Sequence, residues 1–212
     1  MGFILLEGSQ WALEPLFMLG NTGISWLFLM RAVVGRMAFP LFAFLAVEGY
    51  IHTRSFPRYA TTLFLFAVLS IIPFNMVHGG AFSFSRSNIL FTLLLGIVAV
   101  RSMDKLRGMP SVLCVGATLA LAWMLRVDYG MVGVALIALL YLLRERVLYQ
   151  GLSLVAVFFG KKFTMAAPLA IIPIAMYNGK RGFIRGPWAK FVFYAYYPLH
   201  LLVLCLLRPL VQ

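Results

Sequence analysis

The sequence predicts an all-α fold, a polytopic transmembrane helical bundle in which residues 1–212 form a single integral-membrane domain. Hydrophobic residues make up 63% of the 212 residues and charged residues only 11%. A soluble domain carries about 25% charged residues. Apolar runs such as ILFTLLLGIVAV and LHLLVLCLL also recur along the whole chain. Since a helical span needs about 20 mostly apolar residues, the length accommodates about eight or nine membrane segments.

The apolar segments follow one another closely, so each can be placed in turn. Residues 3–19 are weakly apolar and contain two glutamates, which argues against a full span, and Gly20 to Gly23 is typical of a turn. Residues 24–52 form an apolar stretch interrupted by arginines and by Pro40. Further spans are predicted at about 59–77, 88–103, 110–126, 130–144, 149–160, 163–177 and 188–209. The spans at 149–160 and 163–177 are short enough to form one re-entrant pair.

The formal net charge of +12, from 18 Lys and Arg against 6 Asp and Glu, would suggest nucleic acid in a soluble protein. Here the basic residues lie mostly between apolar runs, where the preference of Lys and Arg for cytoplasmic loops explains them. If the connection 53–58 is cytoplasmic, successive connections alternate between the two sides of the membrane. Eleven Lys and Arg then lie on the cytoplasmic side and four on the other side. The eleven lie in the connections 53–58, 101–109, 144–148 and 178–190. The pattern predicts a multi-pass protein of the bacterial inner membrane, surrounded by lipid rather than bound to nucleic acid. Lys161 and Lys162 are the exception to the cytoplasmic preference, because they lie in a connection on the opposite side.

Motifs of soluble catalytic sites and of metal sites are missing. The sequence has no GxGxxG, P-loop, CxxC, HExxH or GxSxG pattern. Cys114 and Cys205 both lie inside apolar runs, which indicates buried thiols rather than a disulfide. Functional residues must therefore come from the few polar groups inside the apolar segments, where such groups are costly and mark function by default.

His200 lies in the middle of the last apolar run, in YAYYPLHLLVLCLL, with Tyr196 one turn earlier and Tyr197 beside it. A histidine at membrane depth is neutral or paired, and it can take up a proton near neutral pH. Pro198 frees backbone carbonyls, which is tolerated where they line a cavity. These features make His200 the first catalytic candidate, and the alternative is a helix–helix hydrogen bond.

Glu48 and His52 are four residues apart in AVEGYIH, so they share one face of a helix. A carboxylate that accepts a hydrogen bond from an imidazole fixes its tautomer and raises its basicity, as in a general-base pair. The two residues are therefore further catalytic candidates. The alternative is an ion pair at the cytoplasmic end of the span, because Thr53 and Arg54 follow at once.

Arg36 follows Gly35, which lets a neighbouring group approach closely. An arginine within a membrane needs a partner, either a carboxylate or an anionic substrate. Glu48 can be that carboxylate only if the helix breaks near Pro40. Arg36 is therefore a candidate for both a catalytic and a ligand-binding role.

Two further polar groups are candidates at the start of predicted spans. Asn88 and Thr92 share a helix face, where they either bind a ligand or form hydrogen bonds between helices. The segment Asp128-Tyr129-Gly130 joins two spans, and either belongs to a site or forms a turn in which the aspartate caps the next helix. The sequence alone leaves both alternatives open.

Four segments, GRMAFPLFAFLAVEGYIHTR, SNILFTLLLG, DYGMVGVALI and FYAYYPLHLLVL, occur in this order and together resemble the TraX family of conjugal-transfer proteins, which acetylate the N-terminus of pilin. The resemblance covers nearly the whole chain, from about Gly35 to Leu204. Its first segment is the most specific, because Gly-Arg-x-Ala-Phe-Pro-Leu-Phe-Ala is unusual inside a span. The family is similar to a wider group of transmembrane acyltransferases that use acetyl-CoA and place an ionisable pocket within a helical bundle.

The resemblance implies an acyl transfer from acetyl-CoA to an amine, which could be a peptide N-terminus such as that of pilin or another small amine. The recurrent polar residues of the family carry over to Arg36, Asn88, Tyr129 and His200, whereas Glu48 and His52 match only a branch. The family usually begins with a helix that ends in Asp-His, and no such pair occurs here. We therefore expect that the given chain begins late and lacks one helix of the family.

The chemistry implied by the resemblance assigns roles to these residues. His200 would be the base or handle the acetyl group, and Tyr197 and Tyr129 would orient it or donate to the oxyanion. Arg36 and Asn88 would polarise a carbonyl or contact phosphate. Arg54 and the basic loops, mainly Arg101 to Arg107 and Lys180 to Lys190, would hold the polyanionic CoA on the cytoplasmic side.

Two other functions use the same residues. A transporter or flippase-like carrier would line a substrate path with them, although the inverted repeats that would support a carrier are not found. A non-catalytic assembly protein of a pilus or secretion system would use them only for helix packing. The acceptor and the oligomeric state are left open by the sequence.

Overall fold

The computed structural model describes residues 26–77, 87–158, 166–179 and 189–207. Within these ranges the chain folds into helices and loops, with an isolated parallel bridge between Ser87 and Val127. The predicted all-α class is therefore confirmed for this part of the chain. The helices are α1 (Trp26–Ile51), α2 (Phe56–Leu69), α3 (Ile71–Val77), α4 (Ile89–Lys105), α5 (Met109–Met124), α6 (Gly130–Leu142), α7 (Val147–Phe158), a 3-10 turn (Ala167–Ala170), α8 (Ile171–Ala175) and α9 (Ala189–Leu207).

Most predicted spans coincide with a helix to within a few residues, because each long apolar run is bounded by Gly, Pro or charged residues. The predicted span at 163–177 differs, since its described part is the 3-10 turn followed by α8, a helix of 5 residues. The predictions for 3–19, for the turn at 20–23, for Lys161 and Lys162 and for the basic residues of 180–188 lie outside the described residues.

Helix α1 runs without a break through Pro40 over 26 residues. The break near Pro40 that would let Glu48 pair with Arg36 does not occur. Twelve residues separate these two side chains, which corresponds to about 18 Å along a helix. Glu48 is therefore too far along α1 to be the partner of Arg36.

Helix α4 lies at the centre of the bundle, where it packs against α1, α2, α5 and α6. Ile97 of α4 and Leu136, Ile137 and Leu140 of α6 are fully buried at this contact. Gly96 allows the close approach, because a Cβ at that position would lie 2.9 Å from the Ile137 Cβ. Small residues at helix crossings have this effect in membrane bundles.

Helices α1, α4 and α6 run in the same direction, so the middle of α1 meets the starts of α4 and α6, and the three helices end close together. Phe39 of α1 stacks on Tyr129, which directly precedes α6. Tyr50 and Tyr141, near the ends of α1 and α6, both donate hydrogen bonds to Asp104 near the end of α4. We call these two regions the Tyr129 end and the Asp104 end.

The outer surface of the bundle carries many large apolar side chains. Leu65, Val112, Leu113, Trp123 and Leu148 are each more than half exposed. An exposed apolar surface of this kind fits a lipid environment better than water. Among the described helices, the run Phe56–Met76 is long and apolar enough to cross a membrane, and several shorter apolar helices accompany it. These features indicate a membrane protein, whereas the number of spans and the inner membrane stay predictions.

Candidate functional site

A contact between two loops builds the Tyr129 end. Ser87 lies just before α4, and its N–H donates to the Arg126 carbonyl at 3.4 Å. The Ser87 carbonyl accepts from the Asp128 N–H at 2.9 Å. This bridge places the start of α4, where Asn88 lies, beside the turn that begins α6.

Asn88 and Thr92 lie at the start of α4, and both are fully buried. The Asn88 Oδ1 accepts from the Leu90 N–H at 3.0 Å and so caps α4, while its Nδ2 donates to the Ala67 carbonyl at 2.7 Å. The Thr92 hydroxyl donates to the Asp128 carbonyl. Asn88 therefore joins the start of α4 to α2, and Thr92 joins α4 to the turn that begins α6.

Tyr129 has a backbone conformation that aromatic residues rarely adopt, with a φ of 62° in the left-handed region. Its ring stacks on Phe39 with the centroids 3.6 Å apart. Gly133 makes room for this stack, because a Cβ there would lie 2.8 Å from the Tyr129 Cβ and 3.0 Å from the Phe39 Cζ. Strained residues cluster at functional sites, which supports a functional role for Tyr129.

Three ionisable side chains have buried polar atoms at the Tyr129 end. The Arg36 Nε, the Asp128 Oδ2 and the Tyr197 hydroxyl oxygen have almost no exposed surface. The Tyr129 hydroxyl interacts electrostatically with Asp128 and Arg36, and the Tyr197 hydroxyl with Asp128 and Tyr129. The carboxylate gathered with Arg36 around these hydroxyls is therefore that of Asp128, not that of Glu48.

His200 joins this group through Tyr197. Its ring centroid lies 5.3 Å from that of Tyr197 and 5.2 Å from that of Tyr196. The His200 Nδ1 is 3.0 Å from the Tyr196 carbonyl oxygen. Because a carbonyl can only accept, Nδ1 carries the proton and Nε2 carries the lone pair. We call the group the buried polar cluster. Its members are Arg36, Asn88, Thr92, Asp128, Tyr129 and Tyr197, with the partly buried His200 at its edge.

Glu48 and His52 lie away from this cluster, near the end of α1. The His52 Nδ1 is 3.5 Å from the Glu48 Oε2, with side chains that are 60% and 18% exposed, respectively. The Glu48 carboxylate also interacts with Tyr177. The pair forms as its spacing predicts, but it is about 18 Å along α1 from Arg36. The structure therefore does not bring it into the buried polar cluster.

A pocket of about 580 Å³ opens at the Asp104 end. The Arg101 guanidinium lies 5.2 Å from the Phe56 ring centroid, and the Arg144 guanidinium 4.4 Å from that of Tyr141. Both contacts hold a cation over an aromatic face. The cationic residues that line the pocket are Arg54, Arg101, Lys105 and Arg144.

Asp104 is the acidic residue among the described residues that line this pocket. Its carboxylate accepts from the Tyr50 hydroxyl at 2.9 Å and from the Tyr141 hydroxyl at 3.0 Å, and it lies 3.2 Å from the Lys105 Nζ. The hydrogen bond from Tyr50, followed by that from Lys105, lowers the pKa of Asp104 below its ordinary value. The carboxylate therefore stays ionised at neutral pH, and each of its two oxygens already accepts a hydrogen bond.

A family model described as TraX protein matches residues 14–208. The chain belongs to the TraX family. A relative from Dichelobacter nodosus, named probable fimbrial assembly protein FimC of serogroup H1, is 27% identical over 217 residues, which cover 89% of this chain and 86% of the relative. No solved structure matches the chain. The TraX match confirms the family that the four sequence segments indicated.

The structure divides the predicted site residues of this TraX family member between its two ends. Arg36, Asn88, Tyr129, Tyr197 and His200 belong to the buried polar cluster, whereas Glu48, His52 and Arg54 lie toward the Asp104 end. Sequence reasoning left open whether Asp128 belongs to a site or only forms a turn, and it assigned this residue no role. It also missed Asp104, whose partners come from two other helices that no local pattern connects to it.

Proposed function

We propose that this TraX family member is a membrane-embedded acyltransferase that moves an acetyl group from acetyl-CoA to an amine, such as the N-terminus of pilin or another peptide. The observation that carries the proposal is the position of His200, which adjoins a buried cluster containing Arg36, Asp128 and two tyrosine hydroxyls. Membership of the TraX family and the name of the Dichelobacter relative support a role connected with pili.

The acceptor must be a neutral amine, because an ammonium ion has no lone pair with which to attack a thioester. The His200 Nε2 carries the lone pair that can take the ammonium proton. The amine nitrogen then bonds to the thioester carbonyl carbon, and the bond from that carbon to sulfur breaks. The leaving thiolate takes the proton that His200 holds, and the new amide nitrogen releases its second proton to water.

Negative charge develops on the carbonyl oxygen during this attack, and buried donors stabilise such a charge strongly. The cluster offers the Arg36 guanidinium and the hydroxyls of Tyr129 and Tyr197 as donors. Asp128 balances the positive charge of this group. In the proposed reaction Asn88 and Thr92 are positioning residues, since Asn88 fixes the start of α4 against α2 and Thr92 holds the turn at Asp128.

The test is to incubate isotope-labelled acetyl-CoA and a peptide with a free N-terminus with membranes that contain the protein. His200→Ala is compared with Leu199→Ala, which truncates the exposed neighbour on the same helix. We expect label in the peptide with wild type and Leu199→Ala, and a rate lower by about 100-fold or more with His200→Ala. Equal rates in the two variants would remove His200 from the mechanism, and no label with wild type would refute the acyltransferase.

A second candidate function is a non-catalytic role in pilus assembly. The name of the Dichelobacter relative favours it, since that name refers to assembly and not to transfer of a group. This function predicts that wild-type membranes transfer no label, while loss of the protein prevents pili from forming. Accumulation of a solute in proteoliposomes would instead point to a carrier.

A further inference from the structure

The pocket at the Asp104 end is separate from the buried polar cluster. We infer that it binds the phosphate groups of a nucleotide of the class found at the nucleotide end of CoA, with Arg54, Arg101 and Arg144 as the residues that contact phosphate. The choice of a CoA-type nucleotide rests on the proposed acyl transfer, whereas the affinity for phosphate rests on the pocket alone.

The charges of the pocket are the first reason. Four cationic side chains and one carboxylate line it, which leaves a net charge of about plus three. Within the described part of the chain, neither Arg54 nor Arg101 has a carboxylate oxygen within 4.0 Å. The carboxylate nearest to Arg144 is that of Glu145, 3.9 Å away on a side chain that is 84% exposed. Cations gathered in this way repel one another unless an anion binds between them.

The shape of the pocket is the second reason, because its cations are held in place before any ligand arrives. The Arg101 guanidinium lies against the Phe56 ring and the Arg144 guanidinium against the Tyr141 ring, and these contacts limit the motion of both cations. A guanidinium group presents paired N–H donors that match the oxygens of phosphate. Asp104 does not repel an incoming anion strongly, because two tyrosine hydroxyls and Lys105 already surround its carboxylate.

A phosphate group could come from a nucleotide or from the headgroup of an anionic lipid. Tyr50 and Tyr141 also line the pocket but are buried, and the Phe56 and Tyr141 rings support the Arg101 and Arg144 guanidinium groups. A purine can stack on a guanidinium group that is held in this way. The volume of about 580 Å³ lies in the range of small-molecule sites. A lipid headgroup needs neither such a stack nor this volume, so these two features favour the nucleotide.

The experiment measures the binding of adenosine 3′,5′-bisphosphate, which carries no acetyl group, to the purified protein in nanodiscs of phosphatidylcholine. Arg101→Gln and Lys105→Gln remove a cation from the pocket. Arg126→Gln is the matched control, because Arg126 is an exposed cation that follows α5, outside the basic loops, and does not line the pocket. Lys105 is 57% exposed, so Lys105→Gln leaves folding intact. This variant therefore tests the pocket even if Arg101→Gln prevents folding by removing the contact with Phe56.

We expect Arg101→Gln to weaken the dissociation constant at least about tenfold, since a hydrogen bond to a charged group is lost. Lys105→Gln should weaken it less, and Arg126→Gln should leave it unchanged within about twofold. Equal weakening by Arg126→Gln, or no binding by wild type, overturns the proposed site. The same titration in nanodiscs with one fifth phosphatidylglycerol tests the lipid, and tight competition by that lipid without any nucleotide binding also overturns it.

Failure of this inference differs from failure of the acyltransferase. Acetyl transfer that persists without bisphosphate binding refutes the pocket and leaves the enzyme standing. Bisphosphate binding without acetyl transfer supports the pocket and refutes the enzyme.

Discussion

Replacing Gly133 by alanine tests how closely the buried polar cluster is packed. The added Cβ would lie 2.6 Å from the Thr92 Cγ2, 2.8 Å from the Tyr129 Cβ and 3.0 Å from the Phe39 Cζ. The Tyr129 Cβ is bonded to the backbone, and Phe39 stacks on the Tyr129 ring, so neither can withdraw without losing that contact. Overpacking of a buried site costs about 1–3 kcal/mol of unfolding free energy.

Gly116→Ala is the matched control for this substitution. Gly116 also lies inside a helix, α5, but a Cβ at that position would meet no atom within 4 Å. Alanine favours a helix interior over glycine by about 1 kcal/mol, and both variants have this gain. The difference in unfolding free energy between the two variants therefore measures the overpacking alone, at about 1–3 kcal/mol.

The measurement is reversible unfolding of the purified proteins in mixed micelles, with dodecyl sulfate as the denaturant. We expect Gly116→Ala to be at least as stable as wild type and Gly133→Ala to be less stable than both. Acetyl transfer by the folded Gly133→Ala variant should also fall, because Tyr129 must move. If the two alanine variants are equally stable, the close packing around Gly133 is wrong.

Three further substitutions test single interactions. Thr92→Val keeps the shape but removes the hydrogen bond to the Asp128 carbonyl, so the unfolding free energy in the same micelles should fall by about 0.5–1.5 kcal/mol; an unchanged value would contradict this bond. Tyr50→Phe should lower the unfolding free energy by a similar amount at neutral pH, because it removes the hydrogen bond to Asp104. The folded pKa of Asp104 lies below its ordinary value of 3.8. The loss of unfolding free energy caused by Tyr50→Phe should therefore be fully present above pH 3.8 and should disappear as the pH falls through the folded pKa. A loss that grew in acid would contradict this reasoning. Arg36→Lys should lower the rate of acetyl transfer with little change in unfolding free energy, since lysine keeps the charge but loses the planar donors. An unchanged rate would exclude a role for the guanidinium geometry.

The helices and much of the buried polar cluster could be predicted from the sequence for one physical reason. Polar groups inside apolar runs are costly, so residues such as Arg36 and His200 stand out against their surroundings. The regular spacing of a helix also predicted that Glu48 and His52 form a pair, and they do. Spacing reports only neighbours on the same helix, however, and so it could not show that this pair lies far from His200.

The features that the sequence did not predict depend on contacts between distant segments. Asp104 gains its two tyrosine partners only because three helices end at the same level. Tyr129 gains its left-handed conformation from the bridge at Ser87 and from the space above Gly133. The continuity of α1 through Pro40 is set by packing as well, since proline inside a helix removes one hydrogen bond and is tolerated when the neighbouring helices compensate.

The common direction of α1, α4 and α6 gives the molecule two chemically different faces. Helix α6 alone has 13 residues, a length of about 20 Å. With the Asp104 end in the cytoplasm, as the distribution of Lys and Arg predicts, a phosphorylated donor would stay in the compartment where it is made. Such a protein could modify molecules that have already left the cytoplasm with a reagent that has not.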